Sequence, residues 1–140
     1  MTDLSLKTSR KIAAPAQKLF EAWLDPAMLA KFMRPAPHMP APTCSTDPVE
    51  GGRFDILMVA DGTELPHAGT YQEISRYSRL VFTWESPFSV EGSTVTVEFD
   101  EVDGETEVTL THVKFPSDES RDNHTAGWTA ILEKLAEQAA

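Results

Sequence analysis

The strongest constraint on this chain is its last regular stretch, residues 117–139, which reads as one long amphipathic helix. Pro116 breaks what precedes it, and Ser117 supplies a capping hydroxyl. Asp118, Glu119 and Asp122 place negative charge where a helix N-terminus is positive. Trp128, Ile131, Leu132, Leu135 and Ala139 recur at helical spacing with His124 one turn before Trp128, while Arg121, Thr125, Glu133, Lys134, Glu137 and Gln138 fall mostly elsewhere. A helix of about 22 residues is about 33 Å long, and its apolar stripe needs a sheet or other helices to cover it. Gly127 sits inside this helix at a cost of roughly 1 kcal/mol relative to alanine. That cost implies close approach of another backbone, or room for whatever the Trp128 indole faces.

The rest of the chain supplies the cover. Leu4, Leu6, Thr8, Arg10 and Ile12 alternate with polar residues, which predicts a first strand. Ala14-Pro15 opens a short helix with Leu19, Phe20, Trp23 and Leu24 on its apolar face. Asp25-Pro26 ends it and caps a second, 26–32, that turns Met28, Leu29 and Phe32 inward. Residues 33–48, with prolines at 35, 37, 40, 42 and 48, read as a long loop with a short strand near 43–46. Gly51-Gly52 is a turn, and Phe54, Ile56 and Met58 define the strand after it. Asp61-Gly62 turns the chain back into a strand over 67–74, where Gly69 offers close backbone approach. Leu80, Phe82 and Trp84 mark another strand, as do Val95, Val97 and Phe99. After the Asp103-Gly104 hairpin, Val108, Leu110 and His112 line the last. Strands grouped together with helices outside the group predict an α+β domain. A curved antiparallel sheet is expected to wrap the final helix with the two short helices closing one end, and a cavity left between sheet and helix is the natural place for a ligand.

Composition narrows the function. With 140 residues and 41% hydrophobic content, the chain reads as a single domain over 1–140. A net charge of −10 argues against nucleic acid or an anionic membrane as partner, since either would repel this surface. Cys44 is the only cysteine, which excludes an internal disulfide and fits a reducing cytoplasm. Residues 1–11 are polar and mixed in charge, with neither the apolar core of a signal peptide nor an anchor. No apolar run approaches the ~20 residues that cross a bilayer. Four histidines invite a metal reading, yet no pair has ligand spacing on one element, so no metal is assigned. There is no nucleophile elbow, Cys44 has no marked base beside it, and no glycine-rich phosphate loop occurs, so no catalytic residue and no cofactor is assigned.

The ordered series Ala14-Pro15, Phe20-Glu21-Ala22-Trp23, Asp25-Pro26, Gly51-Gly52-Arg53-Phe54 and Gly69-Thr70-Tyr71-Gln72-Glu73-Ile74 resembles the SRPBCC or START-related superfamily. Arg79-Leu80-Val81-Phe82-Thr83-Trp84, Thr109-Leu110-Thr111-His112 and Gly127-Trp128 extend the resemblance over nearly the whole chain. Within that superfamily it is similar to the branch of activator of Hsp90 ATPase homologues. The resemblance implies a helix-grip (START/Bet v-like) fold with a hydrophobic cavity. Phe32-Met33-Arg34-Pro35 departs from the paired tryptophans and Gly-Pro that many relatives carry, which softens that wall and adds a charge.

Ten residues are the candidate ligand contacts: Phe32, Met33, Arg34, Met58, Trp84, Phe88, His112, Phe115, His124 and Trp128. Methionines adapt their shape and aromatics give flat walls, which suits a small apolar or aromatic molecule. His112 and His124 share faces with core residues and point inward, whereas His38 and His67 read as solvated or at a rim. The proline-rich loop is expected to act as a lid with Arg34 as a carboxylate or phosphate anchor, against the plainer reading of a surface arginine paired with a carboxylate. The leading expectation is a binding module for a small hydrophobic ligand. One alternative is a cyclase- or hydrolase-like enzyme using His112 or His124 as acid-base. The other is a co-chaperone-like interaction module, which lacks the extra N-terminal domain expected of the full activator. A homodimer and a chaperone are the further partners that these readings allow.

Overall fold

The two-residue alternation seen in the sequence becomes seven strands of one antiparallel sheet, and the 3.6-residue pattern becomes three helices. The computed structural model describes residues 4–34, 39–87 and 89–139. In chain order the elements are β1 (Ser5–Ile12), α1 (Ala16–Ala22), α2 (Pro26–Phe32), β2 (Thr43–Thr46), β3 (Arg53–Ala60), β4 (Thr63–Ser75), β5 (Arg79–Thr83), β6 (Thr94–Val102), β7 (Glu105–Val113) and α3 (Asp118–Ala139). The sheet order is β1-β7-β6-β5-β4-β3-β2. Only the first strand is out of sequence: the chain makes β1, detours through the two short helices, and later returns β7 to pair with it, Leu6 opposite His112 and Thr8 opposite Leu110.

Local chemistry explains most of the boundaries. Asp61-Gly62 and Asp103-Gly104 both adopt positive φ at both residues (51° and 78°, 54° and 80°), the backbone of a tight hairpin turn whose twist matches its strands. Asp25 caps α2 through a 2.9 Å bond from the Ala27 amide to Oδ1, with Pro26 at the first helical position. Pro15 lies one position earlier than a first-turn proline: it is the N-cap of α1, and the Ala16 amide that follows is satisfied by Glu101 Oε1 at 2.6 Å. Ser117 Oγ accepts from the Ser120 amide at 3.1 Å, which starts α3 where capping chemistry predicts.

β4 is longer than the strand expected over 67–74: it starts at Thr63 and carries Pro66 within it. Its first residues pair with β3 alone, Pro66 opposite Leu57; β5 pairs with β4 from Tyr71 onward, and past its end only an isolated Ala68–Glu85 bridge follows. A proline is tolerated where a strand has a partner on one side only. Further along, a register shift between Tyr71 and Glu73 marks a bulge against β5, the kind of irregularity that bends a sheet. Gly69 is held where a side chain would not fit: a Cβ there would collide with the Thr83 carbonyl and come within 2.6 Å of the Phe54 ring.

The concave face of the sheet and the stripe of α3 form one core. Trp128, Ile131, Leu132, Leu135 and Ala139 are its helical side, and Phe82, Val97, Val108 and Leu110 are among its strand side. Phe20, Trp23, Leu29 and Phe32 close the end under α1 and α2. Trp23 is the hinge of that closure, in ring contact with Phe32 at 5.1 Å, Phe82 at 6.3 Å and Trp128 at 6.4 Å.

Candidate functional site

Where β3 and β4 run past the end of β5, they face the N-terminal half of α3 without filling the space between. The result is a cavity of about 450 Å³. Its apolar walls come from Met58 and Ala60 on β3, Leu65 on β4, Trp84 after β5, and Trp128 and Ile131 on α3, with Met39 contributing from the loop. Gly127 also lines it, beside the Trp128 indole. The polar lining is two imidazoles, His67 and His124, and a rim of Ser117, Glu119, Ser120 and Asn123 from the first turns of α3.

Both imidazoles are oriented by backbone carbonyls. His67 Nδ1 lies 2.9 Å from the Leu65 carbonyl, and His124 Nδ1 lies 2.8 Å from the Ser120 carbonyl. A carbonyl only accepts, so each bond places the proton on Nδ1. His67 was expected in solvent or at a rim; it is buried at 8% exposure and its ring lies against Trp84 at 5.1 Å. Burial holds its pKa below the usual imidazole value, and the carbonyls of Leu65 and Ile56 offset this only in part.

Behind the cavity wall lies a second polar arrangement. The Trp128 indole Nε1–H donates to His112 Nδ1 at 3.0 Å, which leaves His112 Nε2–H to donate to Ser93 Oγ at 2.6 Å. All three side chains are buried. Burial, with the charge of His124 second, pushes His112 down to about 3. Both ring nitrogens are therefore committed, and His112 orients Trp128 rather than offering a free base to the cavity.

The expected contacts separate into groups. Met58, Trp84, His124 and Trp128 line the cavity together. His112 stands one step behind Trp128, and Phe115 packs on His112 at 4.4 Å and on His124 at 5.1 Å. Phe32 is fully buried beside Trp23, and Met33 borders a void of about 10 Å³ deeper in the core, with Trp23, Phe82 and Trp84 around it. Arg34 is outside the cavity lining: its Nε and Nη2 both donate to the Met39 carbonyl, at 2.9 and 2.6 Å. It fixes the residue that forms one wall, and among the described residues no carboxylate pairs with its charge. Phe88, His38 and the loop prolines 35 and 37 lie outside the described residues.

The sequence reading missed His67, Ala60 and Leu65, and a signal for two of them was present. Counting back by twos from Tyr71 gives Gly69, His67 and Leu65, one face of a strand, but Pro66 and Gly69 obscured the phase. Among the described residues no group of three or more His, Cys, Asp or Glu is arranged to hold a metal ion, and no helix is long and apolar enough to cross a membrane.

A seven-stranded antiparallel sheet curved around one long C-terminal helix, with two short helices after the first strand, defines a helix-grip protein of the SRPBCC type. Residues 13–140 match the family described as activator of Hsp90 ATPase homolog 1-like protein, and the chain belongs to that family. The fold is similar to that of a protein from Chromobacterium violaceum, at 21% identity and a TM-score of 0.82 over 96% of each chain. It is similar to an AHSA1-like protein from Aeromonas hydrophila, with 26% identity, TM-score 0.79, and 94% of this chain and 90% of that one covered. An HSP90 activator from Plasmodium falciparum has 26% identity and a TM-score of 0.76, with 96% of this chain and 95% of that one covered. No curated protein matches significantly.

Proposed function

We propose that the protein is a binding module that holds one small hydrophobic or aromatic molecule between the sheet and α3. The observation that carries this reading is the 450 Å³ cavity walled by Met39, Met58, Leu65, Trp84, Trp128 and Ile131, within the roughly 300–1,000 Å³ range of small-molecule pockets. The tryptophan faces supply area, and the few polar groups at one end supply orientation. Trp84 and Trp128 are at the contact surface, so titration with naphthalene, followed by their fluorescence, tests the reading. Saturable one-to-one quenching is expected, and weaker in Met58→Trp, which fills the space. Absence of saturable binding overturns it.

A second reading rests on the similarity to the Plasmodium falciparum HSP90 activator. In that reading the domain contacts an Hsp90-type chaperone. Stimulation of the ATPase of the chaperone purified from the same organism supports it, and an unchanged rate with no complex on gel filtration excludes it.

A further inference from the structure

The binding reading leaves the ligand's chemistry open, and the polar groups of the cavity narrow it. Each imidazole in the lining spends its Nδ1–H on a backbone carbonyl, His67 on Leu65 and His124 on Ser120. The neutral form of each ring then has Nε2 as its remaining polar atom, and that atom accepts. His67 is held towards this neutral form by its burial. No lysine or arginine is among the described residues of the lining, whose one formally charged member is Glu119. Arg34 is occupied by the Met39 carbonyl, and Arg121, next to the lining residue Ser120, is paired with Asp118 and Asp122. The cavity therefore offers two imidazole acceptors, flat aromatic walls and one carboxylate, with Ser117, Ser120 and Asn123 at the rim able to donate or accept and no lysine or arginine among the described lining.

Resting on the binding reading above, we propose that this cavity selects uncharged, flat molecules bearing a hydroxyl or N–H donor, of the phenol or indole class, over carboxylates of the same shape. Nε2 of His67 and of His124 are the accepting atoms. A donor that reaches either nitrogen gains a hydrogen bond, whereas a carboxylate brings a charge that no cation in the described lining meets.

The test compares naphthalene, 2-naphthol and 2-naphthoate by calorimetric titration at pH 8, above the ordinary imidazole range of about 6.5. One hydrogen bond predicts that 2-naphthol binds about fivefold or more tightly than naphthalene, with 2-naphthoate weakest. In His67→Phe and His124→Phe the ratio of naphthol to naphthalene affinity falls towards one in at least one of the two. His124→Gln, which restores an acceptor, recovers part of the ratio and serves where a phenylalanine variant does not fold. Naphthoate binding as tightly as naphthol, or a naphthol advantage that survives both substitutions, overturns the proposal. Equal binding of naphthalene and naphthol overturns it while the binding-module reading stands; no binding of any of the three overturns both.

Discussion

The indole N–H of Trp128 points at Nδ1 of His112, 3.0 Å away and wholly inside the core. That contact ties the middle of α3 to β7, and it works only while the imidazole is neutral. A proton on Nδ1 would set two donors against each other in a site with no solvent to separate them.

This makes stability depend on pH in a defined direction. His112 has an ordinary value of 6.5 when unfolded and about 3 when folded, so below 6.5 the unfolded chain binds more protons. The contribution is fully present above pH 6.5 and is lost as pH falls towards 3, by up to about 1.4 kcal/mol per unit. Urea denaturation at pH 7.5, 6, 5 and 4 should show the wild type losing stability more steeply than His112→Gln. Parallel curves would mean that His112 does not carry the effect.

Trp128 serves the core and the cavity at once, and two substitutions separate these roles. Trp128→Ala removes the ring and should cost on the order of 3–5 kcal/mol. Trp128→Phe keeps most of the packing but strands the His112 acceptor, at about 1–3 kcal/mol. A loss below about 1 kcal/mol for the alanine variant, read from urea midpoints, would assign the indole to open space.

Two glycines should respond differently to alanine. Gly69→Ala pushes a methyl into the Thr83 carbonyl and the Phe54 ring, a clash that overpacking data put at about 1–3 kcal/mol or more. Gly62→Ala meets no atom within 4 Å and is strained only by its φ of 78°, a cost of about 1 kcal/mol. Thermal unfolding of the two variants, with equal losses, would contradict the packing account.

Thr106 is fully buried, and its hydroxyl donates to the Ala14 carbonyl at 2.7 Å, joining β7 to the start of α1. Thr106→Val keeps the shape and bares that carbonyl, so a loss of about 1–3 kcal/mol is expected in chemical denaturation. Thr106→Ser, which retains the hydroxyl, should recover part of it.

How much of this was legible from the residues depends on whether the signal was local. The long helix was, since its apolar stripe and the Ser117 cap lie within one stretch. The Asp-Gly hairpins were too, because two residues dictate the turn. The cavity was legible only in part. Trp84, Met58, His124 and Trp128 each showed an inward face, but their meeting depends on β3 and β4 outrunning β5, which is a relation between strands. Arg34 was read either as an anchor beside a pocket or as a surface charge paired with a carboxylate, and it is neither. No property of the sequence says that its guanidinium closes on a carbonyl five residues away, since that bond depends on how the loop folds back.

The sheet order leaves β1 and β2 as its two edges, and this bears on how copies of the protein meet. β2 has four residues and follows Pro40 and Pro42, too short and too poor in donors to template another strand. β1 is longer, but it carries Lys7, Arg10 and Lys11 on a chain whose net charge is −10. Two β1 edges brought together would place these cations against their own copies, a repulsion that blocks ribbon-like growth. The fold thus guards both open flanks of its sheet against self-templating, one by brevity and the other by charge.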